Sequence, residues 1–251
     1  VAARALKKAA DSEKRIPIEP GEYTVVLEPP AVATLLGMMS YMGFSARAVL
    51  EGRSFLCDRF GEKLASELVT VYDDGLDERI LPLPFDFEGM PKKRVFFLRE
   101  GVAEGVVHDC RTAALMKTET TGHALPPPSG AYSPMPLHVI MAPGSATREE
   151  LVAGVERGLL VTRFHYARPV DPRRAVMTMM TRDGTFLIED GKVAQAVEDL
   201  RVTESGLRAL AEVEAVGRDL SLITGGEGVG GYLVPPVRIA RFTFTGRTER
   251  V

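Results

Sequence analysis

The segment AVMTMMTRDGTFLIEDGKVAQAVEDLRV, residues 175–202, constrains the fold of this chain more than any other stretch. It contains two Asp-Gly steps, at 183–184 and 190–191, between runs rich in apolar and β-branched residues. Asp-Gly readily adopts the positive backbone angles of a tight two-residue turn, so each step is a strong hairpin signal. The pattern predicts three antiparallel strands with a turn at each step.

Other parts of the chain add strands and a few helices. β-rich runs occur in GEYTVVL, ELVTVY, RVFFLREGVAEGVVHD, PLHVIMAPG, GLLVTRFHYARPV and VRIARFTFTG. Helical patterns occur in AARALKKAA, AVATLLGMMSYMG, FSARAVLEG and SGLRALAEVEAVGRDL, and after Thr147, where Glu150 completes a capping box. No βαβα alternation runs through the chain. We therefore predict an α+β fold of mostly antiparallel sheets, forming a sandwich or partly closed barrel with peripheral helices.

Composition restricts the classes of function. The chain has 251 residues, is 45% hydrophobic and carries a formal net charge of −3. No Lys/Arg-rich stretch forms a polyanion-binding stripe, which argues against nucleic acid. The longest apolar run falls short of the ~20 residues that a membrane helix needs. Only two cysteines occur, which favours a reducing, cytoplasmic location.

The histidines do not form a recognisable metal motif. A hydrolytic zinc site needs three protein ligands and an open position, and no HExxH pair is present. His108 and His138 lie in strand patterns, which are more typical of half-buried side chains. A divergent metal site could still assemble from residues distant in sequence, such as His108, Cys110 and His123. In the strand predicted at HDC, His108 and Cys110 share one face, but neighbours of this kind seldom form a Cys–His catalytic pair.

The remaining polar clusters favour structural interpretations. GGEGVGG lacks the GK[ST] of a phosphate-binding loop. Asp73-Asp74-Gly75 has the composition of a turn. Asp86 and Glu88 in FDFEGMP fit a solvated edge. Spacing and composition by themselves define no active site.

Several phrases taken in order resemble a known family. They are GEYTVVLEPPAVATLL, GRSFLCDRFGEKLASELVTVYDD, FDFEGMPKKRVFFLREGVAEGVVHDCRTA, TTGHA, TREELVAGVERGLLVT, FLIEDGKVAQAVEDLRV and AVGRDL. The ordered set is similar to the C-terminal domain of the TldD/PmbA family, once labelled "modulator of DNA gyrase". The resemblance implies a lead-in helix and linker at 1–20 and the C-terminal domain at 21–251, with the family's N-terminal domain absent from this chain.

The resemblance also implies how such a protein works. The family forms cytosolic heterodimers that degrade unfolded or short peptides. The TldD-type subunit binds zinc through an HExxxH helix and a later cysteine, whereas the TldE/PmbA-type subunit lacks them and completes the chamber. Here the matching helix, Ala31 to Tyr41, has no His and no Glu, and the segment matching the later cysteine offers Glu227 and no Cys. No catalytic residue is carried over. We expect no cofactor in this chain and zinc in a partner subunit.

The segment TTGHA resembles a family element that forms a turn and leads into a loop. Gly122 would allow the bend, and His123 would be structural or would line a peptide channel. The peptide-chamber candidates are Thr121, Gly122, His123, Gly226 and Glu227.

The leading hypothesis is a PmbA/TldE-like, non-catalytic subunit that pairs with a TldD-type zinc subunit. The alternatives are an independent metal-dependent hydrolase with a divergent site, and a homodimeric peptide-binding module.

Overall fold

Two β-sheets and one buried helix form the core of the protein. The computed structural model describes residues 2–127, 129–224 and 230–247. The helices are α1 (Ala2–Asp11), α2 (Pro29–Gly43), α3 (Ala46–Leu50), α4 (Cys110–Met116), α5 (Arg148–Ala153) and α6 (Gly206–Ala211). The strands are β1 (Arg15–Ile16), β2 (Gly21–Leu27), β3 (Val71–Asp73), β4 (Val95–Arg99), β5 (Val102–Ala103), β6 (His138–Met141), β7 (Arg157–Asp171), β8 (Val176–Glu189), β9 (Lys192–Val197), β10 (Leu200–Ser205), β11 (Val213–Val216), β12 (Ser221–Ile223), β13 (Gly231–Val234) and β14 (Val237–Arg247).

The first sheet closes on itself. Its strand order is β1-β9-β8-β10-β14-β2-β7, and β8 also pairs with β7. The strands β8, β10, β14, β2 and β7 therefore form a closed ring, with β1, β9 and β11 attached to it. Pairing is antiparallel except for β2 with β7 and β1 with β9. The prediction of an α+β fold with a partly closed barrel is confirmed.

The second sheet positions the candidate site. Its order is β12-β13-β6-β3-β4-β5, and only β13 and β6 are parallel. Asp73 pairs with Val139, and Val139 pairs with Tyr232. Residues in one row across a sheet point to the same face. Asp73 and Tyr232 therefore lie on one face of the sheet, two strands apart.

Helix α2 lies where the two sheets meet. It contacts β2 and β7 of the barrel and β12 and β13 of the second sheet. Its apolar side chains pack around most of its circumference, as expected for a helix buried on several sides. Leu35, Leu36, Met39 and Met42 are fully buried. Each such side chain contributes about 1.5–3 kcal/mol by leaving water.

Buried Glu28 fixes the start of α2. Pro29 occupies the first turn, where a missing N–H costs nothing. The Glu28 carboxylate pairs with Lys8 of α1 and accepts a hydrogen bond of 2.8 Å from Arg148 of α5. Lys8 also donates to Thr162 Oγ1 at 2.9 Å. These contacts show which surface the amphipathic α1 packs against. The sequence alone does not identify that surface.

One predicted hairpin turn is wrong. Residues 183–184 lie inside the continuous strand β8, where Asp183 has φ 61° and Gly184 has φ 110°. Val161 pairs with Thr185 and Arg163 with Arg182, so β8 carries one extra residue there. This bulge uses positive φ angles at Asp183 and Gly184, as a tight turn would, and the local sequence does not distinguish the two. The Asp190-Gly191 turn between β8 and β9 is confirmed.

Two further predictions are corrected. The helix predicted over 205–217 ends at Ala211, because VEAV forms strand β11 against β14. The strand predicted at HDC does not form, since Asp109 caps α4 and accepts a hydrogen bond from Thr112 N at 2.8 Å. Among the described helices, none has the length and apolar character needed to cross a membrane.

Candidate functional site

One face of α2 stays accessible. Pro30, Thr34, Gly37, Met38 and Tyr41 are partly or well exposed, and they recur at helical spacing. None of these side chains carries a charge or a metal-binding nitrogen. The accessible face of α2 is therefore an apolar and hydroxyl surface.

Aromatic residues border this face. The Tyr232 ring lies across Gly37, where an added Cβ would come 3.2 Å from Tyr232 Oη. The rings of Tyr41 and Tyr132 have centroids 6.5 Å apart, and Leu222 of β12 is exposed nearby in the sheet. Tyr132 belongs to the loop 119–136. The face of α2, β12–β13 and this loop together form the surface that we call the α2 face.

A buried polar cluster lies on the same sheet side as Tyr232, and Asp73 is its centre. His123 Nε2 lies 2.9 Å from Asp73 Oδ1. The backbone N–H groups of Leu137 and His138 each donate to Asp73 Oδ2 at 2.8 Å. Lys92 Nζ lies 3.9 Å from Asp73 Oδ1. Asp73 therefore joins the end of β3 to the loop before β6 and to the loop that carries His123.

The charges in this cluster are balanced around the carboxylate. Burial by itself would raise the pKa of Asp73, but His123, Lys92 and the His138 N–H hold it well below its usual range. Burial lowers the pKa of Lys92, although the Asp73 carboxylate opposes this shift. Burial also lowers the pKa of His108 and of His138. Asp73 is thus held ionised, while the pKa values of Lys92, His108 and His138 lie below their ordinary values.

Three buried nitrogens of the cluster lack a hydrogen-bond partner among the described residues. They are Lys92 Nζ, His108 Nδ1 and His138 Nδ1. The other ring nitrogen of His138, Nε2, lies 3.0 Å from Leu81 O. Buried polar groups without partners lower the stability of the folded protein. The stability of this region therefore depends on the balance of charge around Asp73.

The contacts of His123 resemble those of a nucleophile–base pair without supplying one. Thr121 Oγ1 lies 2.9 Å from His123 Nδ1, on the side opposite Asp73. The order hydroxyl, imidazole, carboxylate is found in hydrolases. Here, however, Thr121 Oγ1 accepts the His108 N–H at 2.7 Å and lies 3.0 Å from His108 O. The hydroxyl is held inside the loop, which favours a structural role.

The structure places three of the five predicted chamber residues. Thr121 and His123 belong to the cluster, and Gly122 bends the chain with φ 71°. A Cβ on Gly122 would meet Pro91 O at 2.3 Å, so only glycine fits. Gly226 and Glu227 lie outside the described residues. The chain bend predicted at Gly122 is confirmed, and the lining of a peptide channel stays a prediction.

The divergent metal site is not assembled in this structure. Both ring nitrogens of His123 are engaged by Asp73 and Thr121. Cys110 is exposed at the start of α4, whereas His108 is buried beside the cluster. In the described ranges, no group of three or more His, Cys, Asp or Glu side chains is arranged to hold a metal ion.

Sequence reasoning missed two parts of the cluster. It assigned Asp73 to a turn and did not consider Lys92. It also assigned Asp86 to a solvated edge, which is wrong, because Asp86 is buried and accepts from Met90 N and Ala124 N at 2.9 Å each. The available signal was the position of Asp73 directly after a β-rich run, since a residue there can still face the core.

A family comparison agrees with this architecture. The family model described as "PmbA/TldA metallopeptidase C-terminal domain" matches residues 20–246. The chain belongs to this family.

Two curated relatives of this PmbA/TldA-family chain are named as metalloproteases. A "Metalloprotease" of Methanothermobacter thermautotrophicus is 26% identical over 91% of this chain and 50% of its own length. A "Metalloprotease TldD homolog" of Haemophilus influenzae is 29% identical over 72% of this chain and 38% of its own length. The chain thus spans about half or less of these curated relatives.

A solved structure shares the fold. TldE from Thermococcus kodakarensis superposes with a TM-score of 0.87 at 24% identity, covering 98% of this chain and 55% of the solved one. A protein from Thermotoga maritima titled as a modulator of a DNA gyrase gives a TM-score of 0.86 at 24% identity, over 96% of this chain and 54% of that one.

The residues of α2 do not fit the zinc site that this PmbA/TldA family implies. The helix has no His, Glu or Cys over Pro29–Gly43, and its accessible face offers a thioether and hydroxyls. Zinc in hydrolases takes imidazole, carboxylate and thiolate ligands. The two cysteines lie elsewhere, Cys57 buried before β3 and Cys110 exposed on α4.

Proposed function

We propose that this chain is a TldE/PmbA-type, non-catalytic subunit of a TldD/PmbA-type metalloprotease. It would pair with a TldD-type subunit that carries the zinc, and its α2 face would form one wall of the chamber that accepts unfolded or short peptides. The observation that carries the proposal is the chemistry of α2. The family resemblance places the zinc-binding HExxxH on this helix, and here the helix has no side chain that binds zinc.

The character of the α2 face supports a role in accepting peptides. It presents Thr34, Met38 and Tyr41 from the helix and borders Tyr132 and Leu222. Met and Tyr side chains adapt to varied apolar partners, which suits a surface that accepts many sequences. The surface lacks charges on α2 itself, so it would bind peptides with little selection by charge.

The buried cluster supports the same proposal indirectly. Asp73 fixes the loop that carries His123, and Ser133 of the same loop donates to Asp109 Oδ2 at 2.8 Å. A wall held by buried charged hydrogen bonds keeps its shape when a peptide binds, which reduces the entropy lost on binding. A cytoplasmic location is part of the proposal and is supported by the two free cysteines.

The deciding experiment measures zinc and peptide cleavage together. The purified chain, a TldD-type homologue and their mixture are each analysed for zinc content, co-elution in size-exclusion chromatography and cleavage of a fluorogenic peptide. We expect no stoichiometric zinc in the chain alone, a complex in the mixture, and cleavage that the chain increases without performing it alone.

A matched pair of variants tests the α2 face. Tyr41→Ala should reduce cleavage by the mixture, whereas Leu115→Ala, which removes an exposed apolar side chain on α4, should not. About one zinc per chain in the protein alone, with cleavage lost in His123→Ala, would instead support the independent hydrolase. A stable self-dimer that binds peptide and ignores the TldD-type protein would support the homodimeric module.

A further inference from the structure

A second cleft lies away from the α2 face, beside α6. It is an open cleft with a volume of about 510 Å³, which is within the range of small-molecule sites. Its polar lining consists of Arg59, Arg173, Arg174, Arg208 and Ser205, and its apolar lining of Leu64, Val176, Leu207 and Ala211. A chain with net charge −3 thus concentrates four guanidinium groups around one apolar floor.

The walls of this cleft are held in place by hydrogen bonds. Arg173 and Arg174 form the turn between β7 and β8, and Ser205 Oγ donates to Arg174 O at 2.9 Å. Arg173 donates to Gly52 O at 3.3 Å, which ties this turn to the segment before Arg59. The cleft is therefore preorganised from three separate parts of the chain.

The four guanidinium groups differ in their availability. Arg208 is fully engaged, since it binds buried Glu204 at 2.6 Å and Glu22 at 2.6 Å. Arg59 and Arg173 form their ion pairs with well-exposed carboxylates, those of Glu62 and Asp58, and Arg173 also donates to backbone oxygens at Gly52 and Ser54. Exposed ion pairs of this kind are weak. An incoming anion can therefore replace these carboxylates as the partner.

Arg174 is the group without a partner. Its guanidinium is exposed and makes no hydrogen bond or ion pair with any described residue, although its backbone is fixed by Asp171 and Ser205. A guanidinium matches the geometry of phosphate and carboxylate oxygens, which it can bind through two parallel N–H groups.

We infer that this cleft, the arginine cleft, binds a small molecule in which a phosphate or carboxylate is attached to a compact apolar body. Arg174, with Arg173 and Arg59, binds the oxyanion, and the floor formed by Leu64, Val176 and Leu207 covers the apolar body. This inference does not depend on the peptide chamber, because no residue of the α2 face lines the cleft.

Titration calorimetry with four probes tests the inference on the full chain. The probes are benzyl phosphate, phenylacetate, inorganic phosphate and benzyl alcohol. We expect at least one of the two amphiphilic anions to bind more tightly than inorganic phosphate, and benzyl alcohol not to bind. If benzyl phosphate binds more tightly than phenylacetate, the preferred oxyanion is a phosphate; the reverse order identifies a carboxylate. Raising the salt concentration should weaken binding, because exposed charges are screened.

Arg174→Gln and Arg182→Gln form the matched pair of variants. Both arginines are exposed and have no partner among the described residues, but Arg182 lies on β8 outside the cleft. Arg174→Gln should weaken binding about tenfold, which corresponds to loss of one charge-assisted hydrogen bond. Arg182→Gln should leave binding unchanged, and a thermal melt confirms that both variants fold.

Three outcomes would overturn the inference. One is that no anionic probe binds. Another is equal weakening by both variants, which indicates non-specific attraction. The third is binding of inorganic phosphate with no gain from an apolar body, which would identify an adventitious ion only.

Discussion

The buried side of helix α2 and the Asp73 cluster are both shielded from water, but they are stabilised by opposite chemistry. Around α2, apolar side chains such as Leu35 and Leu36 fill the space between the two sheets. Around Asp73, a carboxylate, a lysine and three histidines share one interior region. The helix gains stability from each group that it buries, whereas the cluster must offset the cost of burying charges with well-aligned partners.

This contrast shows two ways in which one fold can stabilise its interior. A helix that binds metal needs polar side chains supported by further hydrogen bonds. Over Pro29–Gly43 no His, Glu or Cys is present, and apolar packing holds the helix together with the ion pairs of Glu28 at its start. The charged interior lies instead under the loop 119–136, where it fixes backbone. The comparison predicts that single substitutions in the two regions will lower the stability of the protein for different physical reasons.

Asp73→Ala should have the largest effect. It leaves Lys92 buried without its nearby carboxylate and removes the acceptor for His123, Leu137 N and His138 N. Removing one member of a buried charged set costs about 3–5 kcal/mol. Denaturant unfolding measures this loss, and Asp219→Ala, which changes an exposed carboxylate, is the control. A loss no larger than that of the control would mean that the cluster is not a stabilising centre.

Leu36→Ala tests the apolar region. Leu36 is fully buried, so its truncation should cost about 3 kcal/mol through lost burial and a residual cavity. Met38→Ala on the accessible face of the same helix should cost much less. Equal losses would show that α2 is not buried on the side that the structure indicates.

Gly122→Ala tests the loop that joins the two regions. The variant meets the Pro91 carbonyl oxygen and must also adopt φ 71°. Gly61→Ala also requires a positive φ but meets nothing within 4 Å. A left-handed backbone costs an L-residue about 1–2 kcal/mol, so Gly61→Ala should show this loss and Gly122→Ala a larger one. Similar unfolding free energies in both variants would mean that the loop moves to relieve the contact.

A further effect is a dependence of stability on pH. His108 and His138 have folded-state pKa values below their ordinary value. The unfolded chain therefore binds more protons below about pH 6.5, so stability is full above this pH and falls as the pH decreases. The slope is at most about 1.4 kcal/mol per pH unit for each histidine. His138→Gln should reduce the slope, and an unchanged slope in both His138→Gln and His108→Gln would contradict this assignment.

A second, more acidic window follows from the carboxylates. The pKa values of Asp73, Glu28 and Glu204 lie below their ordinary values in the folded protein. Their contributions are present above the unfolded pKa of about 4 and are lost as the pH falls through the folded values. Asp73→Ala should remove part of this acid-dependent loss. Unfolding measured between pH 5 and pH 2 separates it from the histidine window.

The sequence by itself determined several elements of this protein. The strongly apolar, helix-forming run from Ala31 predicted α2, and the pairing of Thr147 with Glu150 predicted the start of α5, because helix-forming tendency and capping are local properties. The Asp190-Gly191 turn and the strand that became β14 were also predicted, because the Asp-Gly step and the β-rich run are local signals. Gly122 was correctly placed at a bend. The lack of His, Glu and Cys over Pro29–Gly43 was also readable from the sequence, since it depends only on which residues occupy α2.

Only the tertiary structure decided the rest. Asp183-Gly184 became a bulge because β7 pairs with β8 on both sides of it, and residues 213–216 became a strand because β14 offers an edge. Asp73, Lys92 and His123 come together across 50 residues of sequence, through three segments that have no local signal for contact. The arginine cleft likewise unites a turn, a helix and a loop. Turns and caps depend on neighbours in sequence, whereas the burial and pairing of charges depend on which distant surfaces the fold brings into contact.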